Sequence, residues 1–314
     1  MLFPIKTLLT ISVTFMVTMT VFAQTKEIRN SRNEIIKLDP TLKPSDNFDL
    51  SDWSISLPID TNKDGIADNI PEKYLDKGFS IKPIFYTGDD GGMVFYCPSH
   101  GPKTSKNTTY TRNELREMLR SGNSRIKTTG ITKNNWVFST AKRRIRKKAG
   151  AVDGMLDATL AVNHVTTTGK SSQVGRVIVG QIHATKDEPV RLYYRKLPNN
   201  THGSIYIAHE PLKGKEQWYN LIGSRSDKAK NPEDGIALDE VFSYRIKVVG
   251  HDLTVTIIRT GKPNVVKVVD MSDSNYNKSD QYMYFKAGVY NQNKSSDEGD
   301  FVQATFYQLD NTHD

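Results

Sequence analysis

The sequence predicts an all-β fold, a β-jelly roll sandwich of two antiparallel sheets with a concave cleft on one of them. From Trp53 onward, short runs rich in Val, Ile, Tyr, Phe and Thr alternate with clusters of Gly, Asn, Asp, Ser and Pro, as strands alternate with turns. No long stretch has the period of an amphipathic helix, and only Pro71–Leu75 suggests a helical turn. Many short strands in one long domain without an internal repeat are typical of a β-sandwich.

The N-terminal residues 1–23 are predicted to be a signal peptide. Lys6 precedes an apolar stretch of 16 residues that ends in V-F-A before Gln24. The stretch is shorter than the roughly 20 residues of a membrane span, so we favour cleavage and export to the periplasm or the extracellular space. Residues 24–45 are polar with little periodicity and are interpreted as a mobile leader, which leaves 46–314 as the main domain.

Charge and cysteine content narrow the classes of partner. Removal of residues 1–23 takes away one Lys and no acid, so the formal net charge falls from +8 to +7. An excess of positive charge in an exported protein favours an anionic partner, and nucleic acid, acidic lipid and acidic polysaccharide all stay open on charge alone. Cys97 is the only cysteine, so the chain has no intrachain disulfide and must be stable through packing.

A possible calcium loop lies early in the domain, where Asp60–Asp68 reads D-T-N-K-D-G-I-A-D. The candidate ligands are Asp60, Asn62, Asp64 and Asp68. Oxygen ligands at alternate positions followed by Gly resemble the first half of a calcium-binding loop, but Pro71 stands where the closing Glu is expected. The alternative is a polar turn held by Asx hydrogen bonds, which we favour over a structural Ca²⁺ site.

The first unusual strand is predicted at Tyr110–Leu119, which reads Y-T-R-N-E-L-R-E-M-L. Alternation puts Arg112, Glu114 and Arg116 in a row on one face, with neighbours about 7 Å apart. A carboxylate between two guanidinium groups can hold both in place for anion binding. Taken alone, the row is better explained as a solvated salt-bridge ladder.

The second unusual strand is R-V-I-V-G-Q-I-H, Arg176–His183. Gln181 and His183 share one face, with Ile182 on the opposite face. An amide donor therefore stands beside a side chain that is suited to proton transfer near neutral pH. A lone histidine is usually structural, and this pairing makes a catalytic role about equally plausible.

The third unusual strand is Y-F-K-A-G-V-Y-N-Q, Tyr284–Gln292. One face suits a core and carries Phe285, Ala287 and Val289. The other face carries Tyr284, Lys286, Gly288, Tyr290 and Gln292. We expect this row to span about 20 Å and to contact several sugar units, with Gly288 leaving room for a ring. A nearby cation is expected to lower the pKa of the Tyr290 phenol.

Together these side chains suit β-elimination from a uronic acid. Arginine and glutamine can neutralise the carboxylate, histidine can accept the C5 proton, and the Tyr290 phenol can give or take one. The charge that develops on the carboxyl group must be stabilised by fixed donors, and the loss of one donor costs on the order of 10²–10³ in rate. Such a site needs no metal if arginine and glutamine hold the carboxylate.

The three segments, in this order, resemble the signature motifs of the alginate lyases of polysaccharide lyase family 7: R-N-E-L-R-E at Arg112–Glu117, Q-I-H at Gln181–His183 and Y-F-K-A-G-V-Y-N-Q at Tyr284–Gln292. The resemblance extends from Phe48 to the C-terminus. It implies a jelly roll that cleaves a 1,4-linked uronate polymer at C4–C5 and leaves an unsaturated uronate at the new non-reducing end. It implies no cofactor for catalysis.

The resemblance also implies roles for individual residues. Arg112 and Gln181 would neutralise the carboxylate, His183 would be the base for guluronate, and Tyr290 would be the acid. Tyr290 would serve as both base and acid for mannuronate. Substrate-binding or supporting roles fall to Glu114, Arg116, Tyr284, Lys286 and Gln292. Ile182 favours guluronate-containing blocks by analogy. Asn113 stands where Ser or Thr is usual. Because it is polar and lies on the face opposite Arg112, the difference bears only on details of the site.

Two other functions stay open at this point. A polysaccharide-binding jelly roll would need cations and aromatic rings but not the His183–Tyr290 pair, and a glycoside hydrolase would need two carboxylates about 5–9 Å apart. The basic run at Lys142–Lys148 could be a strand that guides a polyanion, but a solvated face is the simpler interpretation. An exported chain without a recognised nucleic-acid fold argues against nucleic acid as a partner, and we expect a monomer.

Overall fold

The computed structural model describes residues 27–314, so the predicted signal peptide lies outside the described residues. The strands, in chain order, are β1 (Trp53–Ser56), β2 (Asn69–Ile70), β3 (Phe85–Thr87), β4 (Met93–Pro98), β5 (Arg112–Glu117), β6 (Trp136–Val137), β7 (Ala151–Val152), β8 (Gly154–His164), β9 (Arg176–His183), β10 (Val190–Arg195), β11 (His202–His209), β12 (Gln217–Ile222), β13 (Ile236–Ala237), β14 (Phe242–Val249), β15 (Asp252–Ile258), β16 (Val265–Asp270), β17 (Tyr284–Asn291) and β18 (Phe301–Thr312).

Helical structure is limited to single turns. The helices are α1 (Pro44–Asn47), α2 (Glu72–Leu75), α3 (Arg143–Arg146) and a 3₁₀ turn at Ser272–Ser274. The second helix confirms the helical turn predicted near Pro71. The basic run lies on α3 and not on a strand, because Ile145 packs into a small apolar cluster while the cations around it stay exposed. Of the helices in residues 27–314, none combines the length and the apolar character needed to cross a bilayer.

The predicted sandwich is confirmed. A nine-stranded sheet has the order β12-β11-β10-β9-β17-β5-β1-β2, with β13 paired to β11, and a seven-stranded sheet has the order β16-β15-β14-β8-β18-β4-β3. Neighbours within both sheets are antiparallel. The last two strands in the chain occupy inner positions, since β17 lies between β9 and β5 and β18 lies between β8 and β4.

The core lies between the two sheets and follows from alternation along the strands. On β14, Phe242, Tyr244, Ile246 and Val248 are fully buried, whereas Lys247 between two of them is exposed. On β17, the predicted inward face is confirmed, since its apolar residues belong to the same core cluster. Burial of each such side chain contributes about 1.5–3 kcal/mol relative to leaving it in water.

The segment before the domain contacts the seven-stranded sheet. The Ser31 hydroxyl donates to an Asp157 carboxylate oxygen at 2.8 Å, and the Arg245 guanidinium contacts both residues. Leu38 packs against the main core. The described part of the predicted leader is therefore docked on the outer surface of this sheet.

A half-buried carboxyl group next to β5 makes stability depend on pH. Burial raises the pKa of Asp52 to about 6, against a hydrogen bond from Asn311 and with help from the neighbouring Glu117 charge. The unfolded value is about 3.9, so the contribution of Asp52 to stability is fully present below that pH and is lost as the pH rises through about 6.

Asp52→Asn is therefore expected to raise the Tm at pH 7–8, because the amide removes the half-buried charge and its oxygen can still accept from Asn311. The advantage over the wild type should shrink between about pH 6 and pH 4, where the wild-type carboxyl group becomes protonated. Thermal unfolding across this range measures it, with the exposed Asp252→Asn as a control. A Tm difference that does not vary with pH would contradict the assignment.

Candidate active site

Three strands that are far apart in sequence lie side by side at the middle of the nine-stranded sheet. On one side of β17, Lys286 pairs with Arg116, Gly288 with Glu114, and Tyr290 with Arg112. On the other side, Tyr284 pairs with His183 and Lys286 pairs with Gln181. The side chains of these strands that do not enter the core share the outer surface of the sheet, which we call the polar face. All four predicted catalytic residues lie on it.

An irregularity in the pairing of β9 with β10 determines which side chains of β9 lie on the polar face. Leu192 of β10 pairs with Gly180 but the next residue, Tyr193, pairs with Ile178, so Val179 is an extra residue in a β-bulge. The bulge changes the alternation, because Ile178 then lies on the same side as Gln181. Strict alternation would have put the two on opposite sides.

A tyrosine from the opposite sheet packs against this bulge. The Tyr244 hydroxyl donates to the Val179 carbonyl oxygen at 2.9 Å. A Cβ at Gly180 would lie 2.6 Å from that same hydroxyl oxygen, which only glycine avoids. The bulge, its glycine and the buried tyrosine therefore act together to aim Gln181 and His183.

Gly288 has a different role from the one predicted. It has a φ of +130°, and a Cβ there would lie 2.6 Å from the Asn113 carbonyl oxygen and 3.1 Å from the Phe95 ring. The missing side chain would thus point at backbone and core and not at the polar face. The expectation that Gly288 leaves room for a sugar ring is wrong, and the glycine is explained by the backbone conformation and the close approach of β5.

Glu114 is the centre of the site. Its carboxylate accepts hydrogen bonds from the Gln181 amide, the Lys286 ammonium and the Arg112 guanidinium, the last at 3.2 Å. The group is 1% exposed, so these charges attract each other with little screening by water. Burial alone would raise the pKa of Glu114, but Lys286 and Arg112 lower it below its usual value and keep the group ionised.

The predicted link between Glu114 and Arg116 is wrong. Arg116 donates to the Thr128 carbonyl oxygen at 2.7 Å, and its guanidinium carbon lies 4.1 Å from the centre of the Tyr284 ring. Lys286, and not Arg116, is the second cation beside Glu114. Burial and the Arg112 charge lower the pKa of Lys286 to about 8, although Glu114 opposes the shift.

His183 is held by a stack and by its own backbone. Its ring lies parallel to the Tyr284 ring, with centroids 5.0 Å apart, and Arg116 packs on that tyrosine. Because the Ala184 carbonyl oxygen can only accept, the His183 Nδ1 must carry the proton, and Nε2 keeps its lone pair. Burial, followed by the Lys286 charge, lowers the pKa of His183 to about 3 and keeps the ring neutral near pH 7.

Tyr290 packs against a cation and an aromatic edge. The Arg112 guanidinium carbon lies 3.7 Å from the centre of its ring, and the Tyr110 ring meets it edge to face at 6.3 Å. Burial raises the pKa of the phenol, and this outweighs the lowering by Arg112. The expectation of a lowered pKa is wrong, and the phenol is protonated near neutral pH.

The remaining predicted residues lie nearby with fewer contacts. Gln292 follows β17, is 5% exposed, and its backbone N–H donates to the Arg176 carbonyl oxygen at 3.2 Å. Ile182, the residue associated with block preference, is fully buried between the sheets. Asn113 also points inward and donates to the Ile84 and Tyr96 carbonyl oxygens, so its amide joins the two sheets and does not touch the site.

Glu188 is a member of the site that the sequence did not reveal. Its Oε1 lies 3.5 Å from the His183 Nε2, and burial raises its pKa to about 7, against the charge of Arg191. Arg191 also pairs with Glu210 and Glu216. Glu188 lies in the loop T-K-D-E-P, where no alternation indicates which way a side chain points.

The calcium prediction falls on a loop whose oxygens have internal partners. The Asp60 carboxylate accepts from the backbone N–H groups of Asp64 and Gly65, and Asp68 accepts from the Thr61 hydroxyl at 2.6 Å. Asn62 and Asp64 accept from the backbone N–H groups two residues further on, those of Asp64 and Ile66, as in Asx turns. Within the described part of the chain, no three His, Cys, Asp or Glu side chains are grouped as metal ligands.

Comparisons with known proteins identify the family of the chain. Residues 48–313 match a family model described as alginate lyase. An alginate lyase of Klebsiella pneumoniae is 58% identical over 279 residues, which cover 86% of this chain and 91% of that enzyme. Its crystal structure superposes with a TM-score of 0.86, covering 87% of this chain and 99% of that one.

More distant solved structures share the same fold. An alginate lyase of Pseudomonas aeruginosa is 26% identical with a TM-score of 0.61, covering 84% of this chain and 99% of that one. An exolytic alginate lyase of polysaccharide lyase family 7 from Zobellia galactanivorans is 21% identical with a TM-score of 0.65, covering 86% and 98% of the two chains. The second of these is a likeness of fold alone.

Proposed function

Since the chain belongs to the alginate lyases of polysaccharide lyase family 7, we propose that it cleaves guluronate-containing blocks of alginate, with Arg112, Gln181, His183 and Tyr290 as its catalytic groups. The observation that carries the assignment of residues is the network around Glu114. It holds a guanidinium, an amide and an ammonium group beside His183 and Tyr290 on one face.

Arg112 and Gln181 neutralise the carboxylate of the sugar that loses its C5 proton. The Arg112 side chain is 12% exposed and donates to Glu114 through Nη1, so the exposed part of the guanidinium can receive an incoming anion. Glu114 fixes both donors before the substrate arrives. Fixed donors stabilise the charge that develops on the carboxyl group at little reorganisation cost.

His183 and Tyr290 move the protons. A neutral imidazole with a free Nε2 lone pair can accept the C5 proton of guluronate. A protonated phenol can donate to the O4 atom of the leaving sugar as the C4–O4 bond breaks and the C4–C5 double bond forms. For mannuronate, whose C5 proton lies on the other face of the ring, Tyr290 would take the proton as well as give it, and for this the phenol must first lose its own proton to solvent.

His183→Asn separates these two roles. We expect turnover on polyguluronate to fall by about 10²–10⁴-fold, because an asparagine side chain cannot accept the C5 proton, and turnover on polymannuronate to fall much less. Absorbance of the unsaturated product measures both, with His202→Asn on β11 as a matched control. An equal loss on the two polymers would mean that His183 acts on both or only supports the fold.

The function is tested by incubating the wild type with block-defined alginates while absorbance and product length are followed together. A lyase gives absorbing unsaturated ends, a hydrolase gives shorter chains without them, and a binding protein gives neither. Preference for guluronate is supported by the neutral His183 base and by the family analogy at Ile182. Faster cleavage of pure polymannuronate would overturn this preference.

Calcium binding at the Asp60–Asp68 loop is kept as a structural proposal on the strength of its alternating oxygens. If it holds, about 1 mM Ca²⁺ should raise the Tm relative to a chelator, and Asp64→Asn should remove the difference. If the Tm is the same in calcium and in chelator, the loop does not bind calcium and is a polar turn only.

Export and a monomeric state are also kept as proposals. They are supported by the N-terminal sequence pattern and by a domain that buries its own core. N-terminal sequencing of the mature protein is expected to begin at Gln24, and light scattering is expected to give the mass of one chain. A retained N-terminus or a dimer mass would contradict them.

A further inference from the structure

A second cluster of cations lines a cavity at the other end of the polar face. The cavity has a volume of about 550 Å³ and is formed by β9 to β12 and the loop after β12. The lining that matters here is Arg176, Arg195, Tyr206, Trp218, Asn220 and Arg225. None of these residues takes part in the network around Glu114.

The three arginines of this cavity lack carboxylate partners. The ion pairs among residues 27–314 within 4 Å involve other arginines. Arg195 is 5% exposed and donates only to backbone carbonyl oxygens, among them that of Arg225 at 2.7 Å. The Arg176 Nε is buried and has no hydrogen-bond partner in the described structure.

A buried guanidinium without a counter-ion is costly, so an anion bound here would offset that cost. Asp227 lies at the rim and accepts from the Ser171 hydroxyl at 3.1 Å, so its carboxylate has another partner. The cavity therefore offers positive charge to an anion, and the guanidinium of Arg225 in its lining is exposed.

The floor of the cavity is aromatic. The Tyr193 and Tyr206 rings stack with centroids 4.9 Å apart, and Trp218 lies 5.9 Å from Tyr206. The Arg225 guanidinium carbon is 4.8 Å from the centre of the Trp218 ring. Aromatic rings beside planar cations suit a ligand with both an apolar face and a carboxylate, as a uronate ring has.

The cavity is continuous with the catalytic residues. Tyr290 packs on the cluster formed by Ile178 and the stacked tyrosines, and Ile178 is two residues from Arg176. Arg176 is five residues before Gln181 on the same strand, about 15 Å along it. One extended polymer can therefore cover both places at once.

We propose that this cavity, built around Arg176, Arg195 and Arg225 over Trp218, is a remote binding site for a uronate of the same alginate chain that is being cleaved. The inference rests on the proposed function. The site adds binding energy for long chains and takes no part in proton transfer, so it sets the dependence of KM on chain length and leaves the chemical step unchanged.

Arg225→Ala and Trp218→Ala test the site, because both side chains are at least partly exposed and can be removed without opening the core. We expect KM on polymer to rise about 10-fold with kcat unchanged, and KM on the shortest oligomers that are still cleaved to stay the same. Arg144→Ala on α3 removes one exposed arginine elsewhere and should change neither value.

The outcomes separate the two proposals. If KM of the cavity variants is unchanged on polymer, or rises equally on short and long substrates, the remote site is refuted. If the wild type gives no unsaturated product from alginate, the proposed function fails whatever the variants do. If KM rises as much with Arg144→Ala as with Arg225→Ala, the effect comes from the net charge of the protein and not from the cavity, and the site is again refuted.

Discussion

Tyr290→Phe is expected to lower kcat on alginate by about 10²–10⁴-fold while leaving the affinity for the polymer almost unchanged. The substitution removes only the hydroxyl group. The ring keeps its place on the Arg112 guanidinium, 3.7 Å from its centre, and its edge contact with Tyr110. Because the phenol is protonated in its half-buried setting, the loss falls on proton donation to the leaving sugar and not on binding.

Initial rates of product absorbance give kcat, and calorimetry with an oligomer gives the affinity. Tyr219→Phe is the matched control, since that hydroxyl contacts Gln217 on β12 and should leave kcat unchanged. Full turnover by Tyr290→Phe would show that another group donates the proton. A parallel loss of affinity and rate would show that the hydroxyl binds substrate and does not take part in the chemistry.

Glu114→Gln is expected to cost stability as well as activity, because it leaves Lys286 and Arg112 facing each other in a buried place without a carboxylate. Removal of one partner of a buried ion pair typically costs about 3–5 kcal/mol. The pKa of Lys286 should fall further below about 8, since Glu114 is the neighbour that opposes the shift. Turnover should also fall, because Gln181 and Arg112 lose the acceptor that fixes them.

Chemical unfolding and initial rates measure the two effects. The control is Glu34→Gln, which removes an exposed carboxylate paired with Arg32 and should leave both values unchanged. If Glu114→Gln is as stable as the wild type, the network around Glu114 contributes nothing to the free energy of unfolding. A stability loss with full activity would mean that Glu114 does not position the catalytic groups.

The sequence predicted the sandwich and the residues of the polar face because both follow from alternation. Phe285, Ala287 and Val289 of β17 enter the core, and the Lys286 and Tyr290 side chains lie on the other face, as a period of two requires. Gln181 and His183 share a face for the same reason. The sequence could also indicate that three separate strands contribute to one site. Each of them has polar side chains at positions where a strand buried on both faces would have apolar ones.

Details that depend on neighbouring strands could not be predicted in this way. Lys286 and Arg116 have the same charge and pair across adjacent strands, so only the structure shows which of them reaches Glu114. The pKa of Tyr290 depends on how much burial offsets the Arg112 charge. The need for glycine at position 180 is not evident from the sequence, because Tyr244, which packs against it, comes from the other sheet.

The inner positions of the final two strands have a consequence for biosynthesis. Neither sheet is continuous until the last thirty or so residues have left the ribosome, because β17 and β18 each fill a gap between strands made much earlier. A nascent chain that stops before Tyr284 would lack both the central strand of its catalytic surface and the strand that closes its hydrophobic interior. Enzyme activity would therefore begin only after both of these strands had been added to their sheets.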